Sequence, residues 1–354
     1  MAKAKQIYVC QSCGSQHSKW AGQCGDCQEW NSLVEEVQSM ESKLNARQQG
    51  YAGENASKPV SLEQIPCHKE IRIDTCMTEL NRVLGGGLVD GSVVLLGGDP
   101  GIGKSTLLLE ALCRLSQKEK VLYVTGEESL QQVSLRANRL KLETGNIQLL
   151  ADTHVERILE QLKKVAPKVA VIDSIQTLFS HEISSAPGSV SQVRESAAKL
   201  VAFAKQNSIA LFLVGHVTKD GALAGPRVLE HMVDCVLYFE GGQSNRFRIL
   251  RAIKNRFGAV NEIGVFAMTD KGLTQVSNPS AIFLAGHQSP KPGSVIISSW
   301  EGTRPLLIEL QALVDISHGP NPRRVCVGLD SNRLAMLLAV LHKHCGVASY
   351  DQDV

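Results

Sequence analysis

The chain has 354 residues, 43% hydrophobic and 20% charged, a composition that excludes disordered and fibrous classes and exceeds what one ordinary core organises. A formal net charge of +2 supplies little steering field, so any nucleic-acid contact must come from local Lys and Arg clusters. No apolar run reaches the ~20 residues that span a bilayer, and the N-terminus lacks the apolar stretch of a secretory signal, so a cytoplasmic protein without membrane contact is expected.

Residues 1–34 carry two cysteine pairs, Cys10-x2-Cys13 and Cys24-x2-Cys27, with ten residues between them. Four thiolates in two knuckles suit a closed, structural tetrahedral zinc site, and a segment this short has little core of its own. A redox disulfide is the alternative. His17, Lys19 and Trp20 beside the knuckles suit contact with DNA or with a partner protein. Residues 35–58, poor in apolar positions, read as a linker.

From 59 to 278, β-rich apolar runs alternate with helix-patterned stretches: Val93–Gly97, Val121–Thr125, Ile147–Ala151, Val169–Asp173 and Ile209–Gly215 are the predicted strands. That alternation predicts an α/β domain with a mainly parallel sheet covered by helices. Cys235–Glu240 and Phe247–Lys254, separated by a Gly-rich turn, predict an antiparallel hairpin at the sheet edge.

Between the first run and a helix-like stretch starting at Thr106 lies Gly98-Asp99-Pro100-Gly101-Ile102-Gly103-Lys104-Ser105, a P-loop in pattern and context. Its backbone N–H groups suit a nucleotide's phosphates, Lys104 the β- and γ-phosphates, and Ser105 a magnesium ion. Asp173, ending an apolar run, is the candidate second magnesium anchor. A helix cap, shared with Ser174, is its other reading. For orienting the attacking water, Gly126-Glu127-Glu128-Ser129 offers two carboxylates; we take Glu127, with Glu128 a rival or a cap of the next helix. Lys254 and Arg256 alternate at a strand end, as transition-state fingers reaching a neighbouring subunit or as a solvated basic edge. His216, followed by a glycine-rich loop bearing Lys219 and Arg227, is either a phosphate sensor joined to a DNA-gripping loop or a satisfied histidine before an ordinary connection. A second Gly/Ser/Pro-rich stretch, Ser180–Ser191, is low in charge.

Leu84-Gly85-Gly86-Gly87-Leu88, the P-loop, Gly126-Glu127-Glu128-Ser129 and Lys254-Asn255-Arg256-Phe257-Gly258 together resemble the bacterial RadA (Sms) family, a RecA-like branch, and the resemblance runs over essentially the whole chain. It implies a RecA-like ATPase using ATP, Mg2+ and Zn2+, forming a homo-oligomeric ring, a hexamer, that moves on single-stranded DNA. It further implies branch migration of recombination intermediates in DNA repair, in company with RecA recombinase and the replicative helicase machinery. It makes Lys254 and Arg256 trans-acting fingers and His216 a sensor. Residues 279–354 resemble the start of that family's Lon-protease-like α+β domain, a scaffold there. The segment that would bring a serine and a lysine together is missing before Val354, so no proteolysis is expected. The rival reading is a regulatory ATPase or autokinase ring that does not act on DNA; a third is a protein-binding ATP switch.

Overall fold

A strand buried on both faces must be apolar at every position, and that requirement shapes most of this chain. The computed structural model describes residues 5–38, 71–215, 228–241, 246–284, 292–319 and 321–354. The chain divides into two compact units, Met1–Ser277 with Glu301–Arg304, and Asn278–Trp300 with Pro305–Val354.

The N-terminal module is a three-stranded antiparallel sheet. β1 (Lys5–Cys10) lies between β2 (Gln16–His17) and β3 (Leu33–Gln38). Cys10 pairs with Leu33 and Lys5 with Gln38, so β3 continues four residues beyond the expected end of the module at 34.

A small ladder of β4 (Arg72–Ile73) and β5 (Leu88–Val89) frames helix α1 (Thr78–Val83) ahead of the main sheet. Six parallel strands follow: β6 (Val93–Gly98), β7 (Val121–Thr125), β8 (Gln148–Ala151), β9 (Val169–Asp173), β10 (Ala210–Val214) and β11 (Cys235–Glu240). Then come β12 (Phe247–Asn255), β13 (Ile263–Thr269) and β14 (Gly272–Gln275), all antiparallel. The spatial order is β14-β13-β12-β11-β6-β10-β9-β7-β8, an α/β fold with a large, mostly parallel sheet. The predicted strands match within one residue. The predicted hairpin is extended by β13 and β14, whose mainly buried residues lack a period-two signal.

Alternation along each strand splits the core in two. Val121, Tyr123, Val169, Val171 and Phe212 face one layer with α1, α2 (Lys104–Leu115) and α3 (Leu130–Arg139). Leu122, Val124, Ala170, Ile172 and Leu211 face the other, with α4 (Val155–Val165), α5 (Val190–Gln206) and α6 (Val228–Met232).

In the second unit, α7 (Ser280–Phe283) precedes a hairpin of β15 (Ser294–Glu301) and β16 (Arg304–Gln311), whose tip belongs to the first unit. β17 (Asp315–Ile316) pairs with β18 (Gln352–Asp353), and α8 spans Ser331–Cys345. The helix begins at Ser331 because Asp330 caps it, accepting the N–H of Arg333 at 2.8 Å. Among the described residues no helix is long and apolar enough to cross a membrane.

Candidate nucleotide site and metal centre

The strand β6 ends in the P-loop, and α2 starts at Lys104 with Gly103 as its cap. Gly103 has no side chain to cap this helix, and the helix dipole favours an anion at its start. A Cβ on Gly98 would lie 2.5 Å from the carbonyl oxygen of Phe239, so only glycine fits where the loop leaves the sheet. Lys104 is 4% exposed, and its Nζ donates to the carbonyls of Gly98 at 2.7 Å and Asp99 at 2.9 Å. Burial holds its pKa below the usual lysine range, against the opposing pull of Asp173, Asp99 and Glu127. The loop thus joins a buried positive side chain to a helix N-terminus, the chemistry that fits a nucleotide's phosphates.

Asp173 ends β9, where parallel register sets it beside Thr125 of β7. Asp173 Oδ2 accepts the phenol of Tyr123 at 2.5 Å, and Ser174 Oγ donates to Glu127 Oε1 at 2.5 Å. Neither Asp173 nor Ser174 caps a helix through its side chain: the 3₁₀ turn Ile175–Thr177 that follows has no side-chain cap bond. Helix α3 is capped by Ser129 in a capping box with Gln132, so Glu128 does not serve as the cap. Glu128 instead forms an ion pair with Arg136 of α3, and its backbone N–H donates to Thr125 Oγ1 at 3.0 Å. The two glutamates are thereby separated: Glu127 is tied to the residue after Asp173, Glu128 to a helix. Both glutamates border one open cleft, also lined by Thr125, Asp152 and Arg157.

Lys254 and Arg256 stand at the end of the inner strand β12, on the side where β6 begins rather than where its P-loop lies. Lys254 is level with Val236 of β11, which pairs with Leu95 of β6, and the backbone N–H of Arg256 donates to Asp234. Three residues of β6, about 10 Å of strand, separate the level of Lys254 from Gly98, and five residues, about 16 Å, separate that of Arg256, which lies beside Val93. Lys254 Nζ donates to the carbonyls of Glu230 at 2.6 Å and Val233 at 2.8 Å, and burial lowers its pKa. Arg256, with a side chain 52% exposed, pairs with Asp234 at 3.0 Å. The Gly-rich element at 84–88 packs directly on this segment. A Cβ on Gly85 would lie 2.9 Å from the carbonyl oxygen of Phe257, and Arg72 bridges Gly85 and Phe257, donating to both carbonyls at 2.7 Å. Tyr123, Asp234 and Arg72 contact these residues and were missed by sequence reasoning, while Ser174, read there only as sharing a helix cap, binds Glu127 instead. A tyrosine in an apolar strand and an aspartate before a strand carry no signal of their own.

Cys10, Cys13, Cys24 and Cys27 bring four sulfur atoms within 4.8 Å of one another, with Cys10 to Cys27 and Cys13 to Cys24 at 3.6 Å. That spacing fits four thiolates about one tetrahedral zinc, whose ~2.3 Å bonds set sulfurs somewhat under 4 Å apart. Ser15 Oγ lies 3.0 Å from Cys13 Sγ and 3.1 Å from Cys24 Sγ, a hydroxyl partner suited to thiolates, while Ser32 Oγ accepts from Cys10 Sγ at 3.2 Å and donates to the carbonyl of Glu29 at 3.1 Å. Trp20 and Trp30 are exposed on the module. His216, Lys219 and Arg227 lie outside the described residues.

A P-loop leaving the sheet, with acidic groups on the neighbouring strand ends, defines an ATP-binding ATPase domain, here accompanied by a four-cysteine zinc ribbon. Residues 59–222 match the AAA domain family and residues 8–35 the rubredoxin metal binding domain. The chain is 61% identical over 358 residues to the DNA repair protein RadA of Pseudomonas aeruginosa, 54% over 359 to that of Escherichia coli K12, and 49% over 354 to that of Bacillus subtilis. Each alignment spans all of this chain and 77–78% of the relative. The chain belongs to the DNA repair protein RadA family.

Proposed function

We propose that this chain is a cytoplasmic, DNA-stimulated ATPase motor that acts on single-stranded DNA in recombinational repair and promotes branch migration, working as a ring, a hexamer, of identical chains. One observation carries this reading: Lys254 and Arg256 sit at the strand ends where β6 begins, not at the ends that carry their own P-loop, so fingers there would serve a neighbour's nucleotide. The RadA relatives supply the repair context.

In this reading the P-loop amides and Lys104 hold the phosphates of ATP, while the Ser105 hydroxyl and the Asp173 carboxylate, both hard oxygen donors, hold magnesium. The metal, when bound, neutralises charge on the transferred phosphoryl group. Glu127 orients and deprotonates the attacking water. Lys254 and Arg256 stabilise the transition state from the adjacent subunit, a contribution of about 10³–10⁵ in turnover where such fingers operate. His216, Lys219 and Arg227 sense the γ-phosphate and grip DNA. Residues 279–354 serve as the start of a Lon-protease-like scaffold without proteolysis, and the motor works beside RecA recombinase and the replicative helicase machinery.

The test is ATP hydrolysis by the zinc-loaded chain, with and without single-stranded DNA, at several salt concentrations. The reading expects several-fold stimulation that fades with salt, following a binding slope near −0.7 per phosphate contact, and loss of turnover in Lys104→Ala. Turnover indifferent to DNA at every salt concentration, or a phosphorylated protein product, would replace the motor with a regulatory ATPase.

A further inference from the structure

The sheet face that carries the P-loop helix is apolar along β7 and β9 until their C-terminal ends, with one exception. Tyr123 sits in that layer among Val121, Val169, Val171 and Phe212, with no exposed surface. Phenylalanine would fill the same space, and a hydroxyl sunk in an apolar layer costs free energy unless it finds an acceptor. The acceptor is Asp173 Oδ2, at 2.5 Å. Register explains how they meet: Tyr123 pairs with Val171 and Thr125 with Asp173, so the phenol reaches forward along its own face by one pleat to the carboxylate at the strand end. An aspartate there has two side-chain torsions, the second a broad terminal rotor, and a hydrogen bond to one oxygen restricts that freedom.

We infer that Tyr123 is a positioning residue for the magnesium anchor: its phenol holds Asp173 Oδ2, so that the remaining oxygen is presented to the metal in one orientation. The inference rests on the reading of Asp173 as that anchor. Ser174 makes a parallel arrangement one residue on, its hydroxyl holding Glu127 Oε1. Two hydroxyl donors, one from the core and one from the strand end, thus each orient one acidic group of the site. Outer-shell partners of metal ligands are worth about 10- to 100-fold in metal affinity or activity.

The experiment uses the full chain with ADP, and follows Mn2+ binding by the loss of its free electron-paramagnetic-resonance signal. Tyr123→Phe is expected to weaken Mn2+ binding to the ADP complex about 10- to 100-fold, while ADP binding without metal stays within about twofold and the nucleotide-free protein still melts in one transition. A purely structural tyrosine moves the melting curve and leaves Mn2+ affinity within about threefold, and that result overturns the inference. Asp173→Asn separates the two layers of argument. If it binds Mn2+ as the parent does, the anchor reading itself fails; if it loses Mn2+ while Tyr123→Phe does not, only the positioning role fails. Should Tyr123→Phe not fold, the parent labelled with 3-fluorotyrosine decides. The tyrosine resonance best shielded from a paramagnetic solvent probe should shift when Mg2+ is added to the ADP complex, and a resonance that stays put overturns the inference.

Discussion

Arg256 Nη1 donates to Asp234 Oδ1 at 3.0 Å, and the other oxygen of the same carboxylate accepts the backbone N–H of Val93 at 3.1 Å. Val93 begins the strand that ends in the P-loop, so one buried side chain joins the basic strand end to the start of the nucleotide-binding strand. Lys205 Nζ donates to the same Oδ1 at 3.1 Å. Asp234→Ala leaves the Val93 N–H without its side-chain acceptor and should cost about 1–3 kcal/mol in urea denaturation. A midpoint equal to the parent's would mean that the carboxylate is not holding these strand ends together.

The two glutamates after β7 should behave differently. Glu127→Gln is expected to lower ATP turnover about 10²–10⁴-fold with nucleotide binding retained, the usual scale of a lost general base. Glu128→Gln, which weakens the Arg136 ion pair instead, should lower stability and leave turnover much closer to the parent. Steady-state kinetics with a parallel melting curve separates the two, and equal losses of turnover would reverse the assignment.

Glu110 of α2 is buried, with its Oε1 accepting the N–H of Leu273 at 2.9 Å. Burial pushes its carboxyl above the ordinary value of 4.5, against the hydrogen bond from Leu273 and the charge of Arg114. With the folded pKa raised, the folded state binds more protons than the unfolded chain above pH 4.5, so stability is lost as pH climbs through the folded value. Glu110→Gln keeps an acceptor for Leu273 without the charge. It should be more stable than the parent at pH 7, with the gain shrinking towards pH 4 in urea melts; a gain independent of pH would contradict burial of the charge as its cause.

Arg304 and Glu79 form an ion pair in which the residues are 7% and 3% exposed, at 2.6 Å, and Glu79 Oε2 also accepts the N–H of Val265. Removing one member strands the other charge in the interior, so Arg304→Ala should cost about 3–5 kcal/mol. Lys168 and Asp90, at the same distance but each with a side chain 36% exposed, provide the contrast. Lys168→Ala should cost at most about 1 kcal/mol. Chemical denaturation of both variants checks the ratio.

Cys10→Ala should release the bound zinc and unfold residues 5–38, since metal binding of this kind supplies about 10–16 kcal/mol of apparent free energy to a small module. Ser15→Ala, which removes a hydroxyl near two of the sulfurs, should keep the module folded and weaken zinc binding about 10- to 100-fold. Competition with a colorimetric chelator measures both, and unaltered affinity in Ser15→Ala would limit that hydroxyl to packing.

Local pattern was enough for much of this protein. The inner strands of the parallel sheet read directly because burial on both faces makes them largely apolar runs, and the P-loop and cysteine knuckles read directly because their chemistry needs fixed residue types at short spacing. β13 and β14 were not legible, since a short, mostly buried strand at 263–269 has no alternation to distinguish it from other apolar segments. Nor could spacing separate Glu127 from Glu128, which are adjacent in the chain and differ only in what lies beside them. Tertiary structure alone decided which carboxylate meets Ser174 and which meets Arg136, that Tyr123 reaches Asp173, and that the Gly-rich segment at 84–88 packs on Phe257 and Gly258. Those contacts join residues up to 173 positions apart in the chain, counting from Gly85 to Gly258. The physical reason is that a side chain's role at a site depends on its partners across strands, and strand order is set by how the whole sheet closes over its two helix layers, which no short window of sequence contains.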